Sequence, residues 1–263
     1  MFGKRIVVKV GTSTLTYENG RPHLHRMEKL CRVLCDLQNR GREVILVSSG
    51  AIGVGVGKLG LKSRPEKTAE KQAMAAVGQC ELMSMYEKFC SEYNRTVAQM
   101  LLTRDVVENN STKQNVINTF NTLIDMEIIP IVNENDTVSI DELEGQNFGD
   151  NDMLSAIVAE LTNADLLVIL TDIDGLYDSN PRENKNARRI ARVEKITNEI
   201  HEMAGGTGSN RGTGGMATKL LAAEYANKNG IDCCVLNGEE PKILYSLLAG
   251  EDVGTLFVAG SDN

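Results

Sequence analysis

The sequence predicts an α/β protein whose mostly parallel sheet is covered by helices on both sides. Short runs rich in Val, Ile and Leu recur along the chain, segments of helical period lie between them, and the two kinds alternate from end to end. Apolar residues in unbroken runs, without polar alternation, mark strands buried on both faces, as in parallel sheets.

The elements follow in order. RIVVKV ends before Gly11, and Leu24, Met27, Leu30, Leu34 and Leu37 then repeat at three- and four-residue spacing, which puts one apolar stripe on a helix. Asn39, Arg40 and Gly41 close that helix, since a glycine at C′ accepts the left-handed conformation that ends helices. EVILVS runs up to Ser49, TVAQMLLT starts at Thr96, IIPIVN at Ile128 and LLVILT at Leu166. A later helix is closed by Asn229 and Gly230 before DCCVLN, and TLFVA is the last strand. Two stretches fit neither pattern: the polar Ser179 to Arg189, and the glycine-rich Gly205 to Gly215. Loops this long in a compact domain are usually functional or mobile.

Composition narrows the function. The chain has 263 residues, which at roughly 100 to 200 residues per domain is enough to bury a core without staples. No stretch approaches the roughly 18 consecutive apolar residues of a membrane span, and the apolar run after Lys4 and Arg5 is too short for a secretory leader core of roughly 7 to 15 residues. A cytoplasmic protein with no membrane attachment is expected. The net charge of -8, the absence of tryptophan and an aromatic content of 4% supply neither the basic stripe nor the stacking platform of a nucleic-acid binder. The six cysteines include no CxxC pair, so reduced, mostly buried thiols are expected rather than disulfides or a zinc centre.

In an open α/β sheet, ligands gather beyond the carboxyl ends of the strands. Lys9 interrupts the first apolar run just before Gly11-Thr12-Ser13. A buried ammonium is costly alone, so Lys9 calls for an anion or carboxylate, unless it lies on an edge strand facing water. After the second run, Ser48-Ser49-Gly50-Ala51-Ile52-Gly53 continues into Gly55 and Gly57; residues this small let backbone N–H groups approach an anion. Gly55, Gly57 and Gly60 spell GxGxxG, but no apolar helix follows as a dinucleotide fold requires, and Gly57-Lys58-Leu59 lacks the Ser or Thr of a P-loop.

Four acids, Glu134, Asp136, Asp150 and Asp152, lie in two polar turns flanking an apolar strand and helix. Turn and cap chemistry accounts for one or two of them; the set suits an ammonium group, a metal-bound phosphate or a lysine that must be held. Thr171 and Asp172 end LLVILT, and Gly212-Thr213-Gly214-Gly215-Met216-Ala217-Thr218-Lys219 runs straight into a helix. A glycine-rich loop on a helix N-terminus is an anion site. Lys9 and Lys219, with carboxylates between them, form the outline of a clamp for a transferring phosphoryl group.

Together, KVGTSTLT, VSSGAIGVG, QMLLTRDV, PIVNENDTV, FGDNDMLSA, LLTDIDGLY and GTGGMATK, in this order from about Lys4 to Ala259, resemble the glutamate 5-kinase branch of the amino acid kinase family. The resemblance implies a three-layer αβα sandwich around a mostly parallel sheet of about eight strands. It also implies ATP- and Mg²⁺-dependent phosphorylation of the glutamate side-chain carboxylate, the first step towards proline. By it, Lys9 and Lys219 neutralise the phosphoryl group and Asp152 orients them. Ser49, Gly50, Ala51, Asp136, Asp150 and Asn151 bind substrate. Gly11, Thr171, Asp172 and Thr213 to Lys219, that is Thr213, Gly214, Gly215, Met216, Ala217, Thr218 and Lys219, bind the nucleotide together with Lys9, and no residue is assigned as a direct metal ligand.

The resemblance further implies a homo-oligomer, proline as a feedback inhibitor, and handover of the acyl phosphate to glutamate-5-semialdehyde dehydrogenase. Many members continue into a C-terminal PUA domain; residues 1–263 are read here as one kinase domain without it. Kinases of the same fold acting on aspartate or acetylglutamate, and a non-catalytic amino-acid or nucleotide sensor, are the competing expectations. Asp136, Asp150 and Asn151 suit a free α-ammonium, which acetylglutamate lacks.

Overall fold

The computed structural model describes residues 2–103, 106, 109–138, 151–181, 183–205 and 215–260. Its strands are β1 (Arg5–Val10), β2 (Glu43–Ser48), β3 (Val97–Leu102), β4 (Ile129–Glu134), β5 (Leu166–Thr171), β6 (Arg192–Val193), β7 (Asp232–Asn237) and β8 (Thr255–Phe257). They form one sheet in the order β3-β4-β2-β1-β5-β7-β8-β6. Every neighbouring pair is parallel except β7 and β8. The seven apolar runs are all strands, shifted by a residue at Val97 and Ile129. β6 was not expected: two residues, one of them charged, give no run to recognise.

Successive side chains of a strand point to opposite faces. Ile6, Val8 and Val10 meet one helical layer, α2 (Leu24–Asn39), α4 (Thr68–Ser91) and α9 (Ile243–Ala249). Val7 meets the other, α5 (Asn110–Asp125), α6 (Asn151–Leu161) and α8 (Met216–Lys228). The result is the three-layer arrangement that alternation predicts. α1 (Thr12–Leu15), α3 (Ala51–Leu59) and α7 (Asn198–Met203) are short.

The α2 stripe is buried at Met27, Leu30, Leu34 and Leu37, while Leu24 in its first turn is exposed. The helix starts at His23, whose ring accepts from the Arg26 backbone N–H, and ends at Arg40 with Gly41 at φ +84°. α8 ends at Asn229, followed by Gly230 at φ +74°.

One element went unnamed in the sequence reading. The small-residue run after Gly50 forms helix α3, with Gly50 left-handed at its N-cap. Its glycines serve a helix crossing: a Cβ on Gly55 would collide with the Met74 carbonyl, and one on Gly78 with the Ala51 carbonyl. Glycine costs about 1 kcal/mol in a helix interior, which close approach of two backbones offsets here.

Among the cysteines, Cys80 is exposed and the other five are buried, all unpaired. No helix of the described residues is long and apolar enough to cross a membrane.

Candidate active site

β1 is a central strand, with Lys9 level with Val47 of β2 and Ile169 of β5. The edge-strand alternative for Lys9 is therefore excluded. Alternation places Lys9 on the Val7 face, toward the first turn of α6. There its ammonium lies 2.5 Å from Asp152 Oδ1. The other carboxylate oxygen is 3.0 Å from Lys219 Nζ, in the first turn of α8, and accepts from Thr218 Oγ1 at 3.0 Å. Asp152 is 0% exposed, Lys219 3% and Lys9 5%.

This triad answers the electrostatic question that each member poses. Burial pushes the Asp152 carboxyl up, but the Lys9 and Lys219 charges beside it outweigh burial and hold it below its ordinary value. Near the α6 N-terminus the helix dipole favours an anion. Lys219 sits against the dipole of α8, and Asp152 offsets that. Two ammonium groups on one carboxylate give the triad an excess of one positive charge, a fit for an incoming anion.

Around the triad, the carboxyl ends of β1, β2, β4 and β5 face the N-termini of α1, α3, α6 and α8. β1 leads on to β2 at one side of it, and β5 leads on to strands at the other, which opens a crevice between them. Two cavities occupy it. The first, of 380 Å³, is lined by Lys9, Gly11, Ser49, Gly50, Ala51, Asp136, Asn151, Thr171, Asp172 and Lys219. The second, of 440 Å³, is lined by Thr171, Asp172, Gly215, Met216 and Lys219 together with residues between Ile173 and Pro181 and the end of α7. Thr171, Asp172 and Lys219 belong to both, so the cavities meet beside the triad.

In the first cavity the Asn151 amide spans three elements. Its Nδ2 donates to Ser49 Oγ at 2.9 Å, to Asn133 Oδ1 at 3.1 Å and to the Ser48 carbonyl at 3.4 Å. Its Oδ1 is buried and has no hydrogen-bond partner among the described residues. Ser49 is fixed in turn by its own N–H, which donates to the Val10 carbonyl at 3.1 Å.

Most residues expected at the site come together here, with some exceptions. Gly11 lines the first cavity, since it follows β1 directly beside Lys9. Ala217 and Thr218 line neither cavity; the Thr218 hydroxyl turns to Asp152 and to the Gly215 carbonyl. Glu134 is buried at the end of β4 and lines neither. Asp150, Thr213 and Gly214 lie outside the described residues. Sequence reasoning missed Thr12, Ser13 and Arg64, which line the first cavity. Arg64 is an exposed residue in the connection from α3 to α4, and a lone arginine in a polar loop carries no pattern. The polar stretch from Ser179 contributes Ser179, Asn180 and Pro181 to the second cavity.

A sequence model of the amino acid kinase family matches residues 4–237. The chain is 65% identical over 257 residues to a glutamate 5-kinase of Clostridium perfringens, covering 97% of this chain and 96% of that protein. It is 53% identical over 258 residues to a glutamate 5-kinase of Enterococcus faecalis, covering 98% and 95%. Among solved structures, a UMP kinase from Bacillus anthracis superposes with a TM-score of 0.65 at 18% identity, covering 98% of this chain and 97% of that one; at that identity the likeness is one of fold.

Proposed function

The chain belongs to the amino acid kinase family, and from that premise we infer its reaction: it transfers the γ-phosphoryl group of ATP to the side-chain carboxylate of L-glutamate, the first step of proline biosynthesis. The observation that carries this reading is the Lys9–Asp152–Lys219 triad at the junction of two cavities.

We assign the nucleotide to the second cavity, its phosphates toward the α8 N-terminus, Gly215 and Lys219, with Thr171, Asp172 and Met216 around it. A helix N-terminus and a lysine are a recurring phosphate site. Glutamate takes the first cavity. The backbone N–H groups at the α3 N-terminus, next to Ser49, Gly50 and Ala51, suit a carboxylate. Asp136, Asp150 and Asn151 suit the α-ammonium, for which Asn151 Oδ1 is a waiting acceptor.

The chemistry then requires little beyond charge and placement. A glutamate carboxyl has a reference pKa of about 4.3, so it is already a nucleophile at neutral pH and needs no general base. A carboxylate oxygen bonds to the γ-phosphorus as the bond to the bridging oxygen breaks, leaving glutamyl 5-phosphate and ADP. The barrier lies in bringing one anion against another, which Lys9 and Lys219 offset. Asp152 aims both ammonium groups. Mg²⁺ would come as a companion of the nucleotide, since this ion is commonly held by substrate phosphates with one or two carboxylates. When bound, it neutralises phosphate charge.

We also propose that one domain carries the whole reaction, in the cytoplasm, as part of a homo-oligomer. Proline inhibition and handover of the acyl phosphate to glutamate-5-semialdehyde dehydrogenase belong to the same reading. ADP release with glutamate, aspartate and N-acetylglutamate offered separately tests the assignment. Release with glutamate above the others is expected; release with another acid alone overturns the choice of substrate.

A further inference from the structure

We infer that Asn133 and Gln79 are positioning residues for the α-ammonium group of the substrate, acting through the orientation of the Asn151 amide. The inference rests on the assignment of glutamate to the first cavity. Neither residue lines that cavity.

An asparagine amide can present either its oxygen or its NH₂ to a ligand, and only the oxygen accepts a hydrogen bond from an ammonium. What fixes the choice is a chain of buried amides anchored on backbone groups that have no alternative role. The Glu134 backbone N–H donates to Asn133 Oδ1 at 2.9 Å. A backbone N–H can only donate, so the Asn133 oxygen is turned toward it. Asn133 Nδ2 therefore faces the other way, where it donates to Gln79 Oε1 of α4 at 2.8 Å.

With the Asn133 oxygen set, the neighbouring group of Asn151 must be its NH₂, and it donates at 3.1 Å. The Ser48 carbonyl, an acceptor only, accepts from the same nitrogen at 3.4 Å. Both neighbours impose one orientation, and Asn151 Oδ1 is left as a buried acceptor with no hydrogen-bond partner among the described residues. Asn133 is 2% exposed, Asn151 7% and Gln79 8%.

α4 braces the chain at a second point. The Tyr86 hydroxyl is hydrogen-bonded to Ser48 Oγ at 2.8 Å, which steadies the residue whose carbonyl Asn151 uses. Helix α4 thus reaches the substrate without touching it. Removing the Gln79 acceptor leaves the Asn133 NH₂ buried without a partner, a costly state, and relieving it by rotation frees Asn151 to turn.

The test compares glutamate with glutarate, which keeps both carboxylates and lacks the ammonium. Steady-state kinetics give KM for glutamate, and inhibition gives Ki for glutarate, in the parent and in Asn133→Leu, Gln79→Met and Gln79→Glu. Asn133→Leu is expected to raise KM for glutamate about tenfold, and Gln79→Met about threefold, with Ki for glutarate and kcat nearly constant. Gln79→Glu keeps the acceptor oxygen, so its ratio of glutamate KM to glutarate Ki is expected to lie nearer the parent's than that of Gln79→Met.

Equal weakening of glutamate and glutarate, or a fall in kcat alone, overturns the inference, because a merely structural role would not sense the ammonium. If one variant fails to fold, the other reads the same ratio. A parent that does not phosphorylate glutamate overturns the function itself; a parent that does, with an unchanged ratio in both variants, overturns only the positioning role.

Discussion

Gly78 of α4 lies against the carbonyl oxygen of Ala51, so that a side chain of any size at Gly78 would collide with the first residue of α3. That residue also lines the first cavity, and the crossing of two helices is thereby tied to the shape of the site. Gly78→Ala sets two effects against each other. Helix propensity favours alanine by about 1 kcal/mol, whereas overpacking typically costs about 1 to 3 kcal/mol. The obstructing atoms are backbone and cannot swing aside, so packing prevails. Calorimetry should show a lower Tm for Gly78→Ala together with a raised glutamate KM, while Gly260→Ala, with open space around its Cβ position, keeps both.

Lys219 serves the transition state more than the ground state on this account, since its charge is needed as negative charge concentrates on the transferring group. Lys219→Ala is expected to lower kcat by about two to three orders of magnitude, with a small change in the glutamate KM. Initial-rate kinetics over both substrates check this. A variant altered only in the glutamate KM would remove Lys219 from the clamp.

Asp152 links folding to pH. Its carboxyl is held below the ordinary value in the folded chain because the Lys9 and Lys219 charges outweigh burial. A group depressed on folding contributes stability above its unfolded pKa, about 3.9 for aspartate, and loses it as pH falls through the folded value. Asp152→Asn, which leaves two buried ammonium groups without their carboxylate, should cost about 3 to 5 kcal/mol near neutrality. Denaturant titrations from pH 7 down to about 3 should show the gap between parent and variant narrowing only at the acid end. A gap that stays constant to the lowest pH contradicts the assignment.

Asp136 is buried and lines the first cavity. Asp136→Ala is expected to raise the glutamate KM by about tenfold or more while the ATP KM stays nearly constant, as the loss of a charged hydrogen bond to an ammonium would dictate. Competition binding with each substrate separates the two effects.

Much of the architecture could be read in advance for a physical reason. Strands of a parallel sheet are buried on both faces, so β1, β2, β4, β5 and β7 appear as plain apolar runs, and the residues that follow them are where the fold gathers ligands. Lys9 stood out because an ammonium inside such a run needs a partner, and Asp152 supplies it. The stretch from Ala51 to Leu59 was not recognised as a helix, because glycine disfavours an isolated helix; the reason for its glycines lies on α4, at Met74 and Gly78, remote in sequence. Asn133 was hidden inside the apolar run IIPIVN, and its meaning depends on Gln79, 54 positions away. Arg64 reaches the cavity only through the course of a loop. Pairing across the fold is what a linear pattern does not carry.

The most direct test of the central claim traps the product. Purified protein is mixed with ATP and Mg²⁺ in the presence of hydroxylamine, with glutamate, aspartate or N-acetylglutamate offered in parallel, and hydroxamate is measured against a control without enzyme. An acyl phosphate made by the clamp reacts with hydroxylamine, so hydroxamate should form with glutamate well above the other two acids. Hydroxamate with none of the three would contradict phosphoryl transfer to a carboxylate at this site.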